Sequence, residues 1–353
     1  MSAAALRCRI GLGLGVGRLI EGRSDLAEVT DSLEHLGFDS LWASEVLGSH
    51  APDPVAALAF AAARTSRIKL GTSVMVAPGR SPAQLAKQAA TLDVLSDGRF
   101  FPVLGLGTSD PDALSALGVE RADRGPMTDE MIPLLRRIWA DDQVDHAGRF
   151  YQLDRYRPHL HPVRRSLPIW LGGRSDAELR RVGAMSDGWL ASFAAPDEVE
   201  RSIGIIRAAA AEADRSIEGD HYGVLMMYSL GPADAATEEF MRWRRPDRSA
   251  ADVFPEGAQA VVDLLGRFAA AGATKFILVP SARPADWTEP VSYTHLRAHE
   301  TVLDLVCRLL LEKKKISQLN HDSIHYTTTP TSYMIPVDFC TSLTLSCTLY
   351  YRS

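Results

Sequence analysis

The chain has 353 residues, 46% hydrophobic and 23% charged, with a formal net charge of −6. That composition can fill one large core or two modest ones and is neither disordered nor fibrous. No apolar run approaches the ~20 residues of a membrane span, and the start MSAAALRCRIGLGLG lacks the layout of a secretory signal, so a cytoplasmic protein is expected. Without a Lys/Arg cluster before residue 291, nucleic acid is argued against as a partner, which leaves a small-molecule substrate and keeps a homodimer open.

The composition breaks near Val291. Three of the six lysines and three of the four cysteines (Cys307, Cys340, Cys347) come after it, and no glycine does. The segment VSYTHLRAHET at 291–301 reads as a translated sequencing-library adapter. An eight-base index and the continuation DLVCRLLLEK at 304–313 follow in frame. Residues 1–290 are therefore expected to form one domain and residues 291–353 a non-native tail, the alternative being a short amphipathic C-terminal helix. Cys8 alone cannot form an internal disulfide, and no metal site is expected from the four tail histidines.

Along the chain, short β-rich runs at 9–14, 40–43, 69–76, 99–104, 168–171, 188–191, 221–230 and 275–279 alternate with amphipathic stretches. Ser24, Asp53, Ser81 and Ser175 are expected to cap helices, and Gly37 and Gly98 to stop them. Eight βα units predict an α/β fold, a closed (β/α)8 TIM barrel with loop insertions, in preference to an open doubly wound sheet. Active-site groups should then lie at the strand C-terminal ends, at 14–15, 44–45, 73–78, 105–110, 172–176 and 192. Residues 142–167 read as a hairpin laid over the barrel and 232–252, with RWRRPDRS, as a polar excursion of the kind that acts as a lid.

The first strand carries GLGLGVG at 11–17, which looks like a dinucleotide fingerprint. Its glycines alternate at every second position and the acidic residue is not at the expected spacing, so room for a ring across the barrel mouth is the favoured reading. Gly105 and Gly107 in VLGLGTSD offer a similar approach for a flat cofactor. The strongest local signal is IWLGGRSDAELRRVGAMSDGW at 169–189. Gly172 and Gly173 allow close backbone approach, and the amides of residues 175–177 at a helix start favour an anion, which makes this turn a phosphate cradle. Arg174 or the Ser175 hydroxyl would add contacts, although Ser175 as a simple cap is an equal alternative.

These blocks, together with LGFDSLWASE at 36–45, the run from IKLGTSVMVAPGRSPAQLAKQAATLD to LSDGRFFPVLGLG at 68–107, and GRFYQLD at 148–154, resemble the luciferase-like monooxygenase family. The resemblance implies a (β/α)8 barrel that uses FMN or the deazaflavin coenzyme F420. By that resemblance Ser73 and Val74 support the cofactor ring, Leu106 and Gly107 lie beside it, and Gly172, Gly173, Ser175 and Asp176 surround its phosphate. It further implies that Leu95 to Arg99 is a structural turn with Arg99 pairing locally. A closing helix normally follows the eighth strand, so the barrel is expected to be truncated there. The departure is Glu45-Val46, where deazaflavin alcohol oxidisers carry Asp-His. Glu45 is left as a candidate general acid or an ion-paired carboxylate, and His50 as a histidine able to swing in. The expected function is F420-dependent hydride transfer to or from a small organic substrate. The alternatives are an FMN-dependent monooxygenase using a flavin peroxide and a non-catalytic flavin-binding protein.

Overall fold

A computed structural model describes residues 9–283, so the expected tail at 291–353 lies outside the described residues. The chain starts with β1 (Arg9–Gly13), α1 (Arg23–Leu36), β2 (Ser40–Ala43), α2 (Pro54–Ala62), β3 (Lys69–Thr72), β4 (Met75–Val76) and α3 (Pro82–Leu95). It continues through β5 (Phe100–Phe101), β6 (Val103–Gly105), α4 (Pro111–Leu117), α5 (Arg124–Ala140), β7 (Val144–Ala147) and β8 (Gln152–Tyr156). Then follow β9 (Trp170–Gly172), α6 (Asp176–Met185), β10 (Gly188–Ser192), α7 (Pro196–Glu212), β11 (Tyr222–Tyr228), α8 (Ala235–Arg244), α9 (Ala250–Val253), α10 (Ala258–Ala270) and β12 (Lys275–Pro280).

The predicted third strand is two pieces, separated at Ser73-Val74, whose peptide bond is cis. The fourth is split at Pro102, which has no N–H to give to the ladder while its carbonyl still accepts from Trp170 N at 3.1 Å. β3 pairs with β5 and β4 with β6, so the two broken strands are neighbours throughout. β1 pairs with β2 on one side and β12 on the other, and every rung in this sheet is parallel. The ladder therefore closes into an eight-stranded parallel barrel ringed by helices.

Gly37 ends α1 in the left-handed region at φ 74°, and Asp53 and Ser81 cap α2 and α3 through the amides of Ala56 and Gln84. Ser24 does not cap. Instead Gly22 takes the cap position and α1 starts two residues earlier, at Arg23, and Asp25 turns back to accept from the amides of Glu21 at 2.8 Å and Gly22 at 3.2 Å. Arg99 reaches beyond its own turn. Buried at 7% exposure, it donates to the carbonyls of Ser96, Ile68, Ala62 and Thr65 and to the Thr65 hydroxyl, joining α2, β3 and the end of α3.

The barrel interior explains the glycines of the early strands. A Cβ on Gly11 would meet Ser40 Oγ at 2.3 Å and Trp42 Nε1 at 2.6 Å, and one on Gly71 would meet the Trp42 ring at 2.3 Å. Likewise, Gly188 accommodates the Trp170 ring. The ring for which Gly11 makes room is thus the protein's own indole, inside the barrel. Trp42, Phe101 and Trp170 stack edge to face at centroid separations of 5.8 and 4.8 Å. Lys275 completes this plug, its Nζ lying 4.5 Å from Phe101, 4.6 Å from Trp170 and 5.7 Å from Trp42.

The two excursions are both built structures. β7 and β8 form the expected antiparallel hairpin. Its anchor is Glu130 on α5, which accepts from the amides of Phe150 at 3.0 Å and Tyr151 at 2.9 Å and meets His146 Nε2 at 2.9 Å. The second excursion is not an open polar loop: it folds into α8 and α9, and Met241, Val253 and Phe254 form a small core with Ala195. Arg245, with 1% of its side chain exposed, bonds Glu198, Asp247 and the Phe193 carbonyl, tying this segment to the start of α7.

Candidate functional site

The C-terminal ends of the strands gather the expected positions at one end of the barrel. Ser44 Oγ lies 3.0 Å from both the carbonyl and the hydroxyl of Ser73, which joins the second and third strand ends. Val74, half-buried, turns toward the neighbouring strands. A Cβ on Gly105 would meet Val74 Cγ2 at 2.4 Å, and one on Gly172 would meet Val74 Cγ1 at 3.0 Å. Gly107, at φ 73°, makes the same room for Val76. The glycines of VLGLG and LGG therefore let the third strand's valines settle across the mouth. The carbonyl of Gly107 is held by Arg124 Nη1 at 3.0 Å, and Leu106 remains half-buried beside it.

Glu45 is committed on both oxygens. Oε2 accepts from Val76 N at 2.7 Å, and Oε1 pairs with Arg80, whose Nε also donates to the Val76 carbonyl at 2.8 Å. Only 10% of the Glu45 side chain and 21% of the Arg80 side chain are exposed. Sequence reasoning did not name Arg80, because 35 residues separate it from its partner. His50 is exposed, further along the loop that follows β2.

The turn after β9 is more crowded than its sequence suggests. Gly173 sits at φ 131°, with Glu178 close beneath it. Glu178 Oε2 accepts from Arg174 N at 3.0 Å, Ser175 N at 2.9 Å and Ser175 Oγ at 2.8 Å, and Ser175 Oγ caps the Glu178 amide in return. Burial pushes the Glu178 carboxyl up, but the amides of Ser175 and Arg174 outweigh it and hold it below the ordinary glutamate range. Of the amides at 175–177 expected to greet an anion, that of Ser175 is thus taken by the chain's own carboxylate, together with the preceding amide of Arg174. The signal was present as S-x-x-E at Ser175–Glu178, a capping box. What remains for an external anion is the first-turn pair Asp176 and Ala177, which have no intrahelical acceptor. The Asp176 carboxylate is drawn aside by Arg201 at 2.9 and 3.0 Å. This donor set fits one phosphate group against the helix start, and half-buried Val74 and Leu106 offer a flat ring an apolar surface at the same end of the barrel.

Two exterior grooves lie elsewhere, about 430 Å³ between α2 and α3 and about 330 Å³ beside the hairpin exit at Tyr156 to Leu160. Among the described residues, no helix is long and apolar enough to cross a membrane.

Comparison with solved structures places the same barrel in an F420-dependent secondary alcohol dehydrogenase bound to an F420–acetone adduct (TM-score 0.70, 20% identity, 82% of this chain and 97% of that one). The FMN-bound oxygenating component of 3,6-diketocamphane monooxygenase from the CAM plasmid of Pseudomonas putida is also similar (TM-score 0.66, 18% identity, 82% and 97%). At those identities the likeness is one of fold. In sequence, the chain is 35% identical over 184 residues to a Mycobacterium tuberculosis protein provisionally named as a coenzyme F420-dependent oxidoreductase, covering 48% of this chain and 51% of the relative. It is 28% identical over 212 residues to the F420-dependent glucose-6-phosphate dehydrogenase of Amycolatopsis mediterranei, covering 56% and 62%. The chain spans between half and two thirds of the length of these relatives. The model of the luciferase-like monooxygenases matches residues 7–274, and the chain belongs to that family.

Proposed function

We propose that residues 1–290 form a cytoplasmic oxidoreductase that uses coenzyme F420 to move hydride between the deazaflavin and a small organic substrate held at the barrel mouth. The observation that carries this reading is the junction of β9 and α6. There the Asp176 and Ala177 amides and the positive end of the helix dipole offer an anion site, next to strand ends walled by Ser73-Val74, Leu106-Gly107 and Gly172-Gly173. F420, when bound, supplies hydride chemistry at its ring, while the protein contributes orientation and exclusion of water. In this reading Ser73 and Val74 support one face of the ring and Gly172, Gly173, Ser175 and Asp176 surround the phosphate. Glu45 holds Arg80 and the Val76 amide with one bond to each oxygen, which fixes the third strand end and gives the carboxylate a structural part rather than that of moving a proton. His50 is then the titratable group on that loop available to move one, and reduction of substrate is favoured over alcohol oxidation.

An FMN-dependent monooxygenase is the second reading, supported by the absence of a histidine at Glu45-Val46 and by the fold shared with the FMN-bound diketocamphane enzyme. Fluorescence-quenching titration of the full chain with F420 and with FMN separates them. Tighter F420 binding is expected. Preference for FMN with NADH-coupled oxygen uptake selects the monooxygenase, and binding of neither removes both readings. His50→Ala is expected to lower turnover without changing cofactor affinity, and unchanged turnover would remove His50 from the reaction.

A further inference from the structure

The mouth carries two cations that this reading does not use. Arg174 lies in the turn after β9, Phe193 follows β10, and Arg244 is the last residue of α8. Trp189 Nε1 donates to the Gly173 carbonyl at 3.0 Å and Arg245 donates to the Phe193 carbonyl, so the two turns and the end of α8 are fastened together. The Arg244 guanidinium stands 5.1 Å from the centroid of Phe193. From Phe193 the rings continue to Phe240 at 5.7 Å and on to Trp243 at 6.0 Å. Trp243 is 74% exposed, far more than other large apolar side chains among the described residues.

The carboxylates of this region are already engaged. Asp176 pairs with Arg201, Glu178 holds the amides of Arg174 and Ser175, and Asp197 pairs with Arg248. Glu198 is shared by Arg245 and Arg248, and both oxygens of Asp247 are held by Arg245 at 2.9 Å. Arg174 and Arg244 therefore have no carboxylate hydrogen-bonded to them among the described residues. Burial, and then the charges of Arg174 and Arg245, lower the Arg244 guanidinium from its ordinary value. Asp247, held by Arg245, also feels the charge of Arg174, and an anion placed between neighbouring guanidiniums eases their remaining repulsion. Arginine's planar fork suits carboxylate and phosphate oxygens, and a row of ring faces beside it suits a flat apolar body.

We propose that Arg174 and Arg244 form a subsite for the anionic head of the substrate, which makes that substrate an organic acid, a carboxylate or phosphate monoester whose planar apolar body lies along Phe193, Phe240 and Trp243. The word substrate rests on the oxidoreductase reading; the anion subsite itself does not. In this proposal its donors are the two guanidiniums, whereas the cofactor's phosphate takes the amides of Asp176 and Ala177.

Isothermal titration of the full chain with phenyl phosphate, benzoate and neutral benzyl alcohol tests this, alone and with saturating FMN or F420. Both acids are expected to bind more tightly than benzyl alcohol. Arg174→Gln and Arg244→Gln should each weaken the acids about tenfold, the loss of one charge-assisted bond, and leave the alcohol unchanged. Trp243→Ala should weaken all three. Acid binding that persists beside bound cofactor supports the assignment. Displacement of phenyl phosphate by FMN would hand the arginines to the cofactor's phosphate and overturn it. So would acids that bind no better than the alcohol, or that bind the arginine variants as well as the parent chain. If neither cofactor binds while arginine-dependent acid binding persists, the oxidoreductase reading fails and the anion subsite stands.

Discussion

Lys275 offers the sharpest test of how this barrel is held together. Its ammonium sits inside the barrel at 8% exposure, with no acidic partner in hydrogen-bond contact among the described residues, and burial, then Arg9, pushes it down to about 8 against only partial support from Asp220 and Asp39. Against its ordinary 10.5, that depression corresponds to about 3 kcal/mol of destabilisation at neutral pH, at about 1.4 kcal/mol per pH unit. The three ring faces share one ammonium and pull the other way, by about 0.5 to 2 kcal/mol together. The sign with pH follows from linkage. A lysine depressed in the folded chain costs most below its folded value, and stability rises as pH climbs from about 8 toward 10.5, because the folded chain loses the proton first. Lys275→Met keeps the length and removes the charge. We expect it to be more stable than the parent by about 1 to 3 kcal/mol at pH 7, with the gap closing as pH rises through about 8 to 10. Urea unfolding followed by tryptophan fluorescence at several pH values reads the difference, so other titrating groups cancel. A methionine variant that is less stable at pH 7, or a gap that does not change with pH, would mean that the rings outweigh burial and the reasoning is wrong.

Other parts of the fold carry their own expectations. Arg99→Met removes the donor to four carbonyls and should cost about 3 kcal/mol in urea, with Arg99→Lys recovering less than half because an ammonium cannot span α2 and β3; a loss under about 1 kcal/mol would show that water replaces the guanidinium. Burial raises the Glu130 carboxyl, but His146 and the amides of Phe150 and Tyr151 bring it net below the ordinary range. Its hold on the hairpin is therefore present above that range and lost as pH falls through the lowered value. Glu130→Gln should speed hydrogen exchange at those two amides at neutral pH, and unchanged exchange would assign the hairpin's order to packing alone. Gly188→Ala places a Cβ 2.2 Å from Trp170 and should cost at least about 1 to 3 kcal/mol, since the indole is wedged between Phe101 and Lys275; a neutral result would mean that the aromatic plug shifts freely. Glu178→Gln keeps a cap acceptor while removing a negative charge beside the Asp176 and Ala177 amides, so FMN should bind about threefold more tightly, a gain of roughly 0.6 kcal/mol; weaker binding would show that the carboxylate shapes the turn.

Much of the scaffold was legible because it depends on local rules. Apolar runs of four to six residues, cap residues such as Asp53 and Ser81, and the stop at Gly37 each act within a turn of their own position, and eight repeats of that grammar leave a closed parallel barrel as the natural result. What sequence could not supply was the partner across space. Ser24 looked like a cap because nothing local revealed that Asp25 would turn back to the amides of Glu21 and Gly22. The alternating glycines of the first strand looked like room for a ligand, but the space at Gly11 is filled by Trp42 and Ser40, some 30 residues on, and that at Gly13 by Ile277 and Val279 from the last strand. Arg80 and Arg245 are invisible for the same reason: each matters through a carboxylate 35 or 47 residues away.

The mouth shows why a functional reading is harder than a fold reading even when the motif is right. At Ser175 two rules claim the same amides: a helix start after Gly-Gly favours an external anion, while S-x-x-E supplies an internal one. The structure lets both hold by dividing the turn. Glu178 takes the amides of Arg174 and Ser175, and the next two are left over. The same division recurs across the mouth, where Glu45, Asp176, Glu198 and Asp247 are each consumed by an arginine. Internal pairing thus ties these acids to structure and leaves Arg174 and Arg244 without a hydrogen-bonded carboxylate among the described residues. Under the reading proposed above, a mouth whose described carboxylates are spent on structure and whose spare charge is positive suits anions, and among the described residues these four acids are held in ion pairs. That asymmetry, more than any single motif, is the argument for proposing an acidic substrate that is reduced at this barrel mouth.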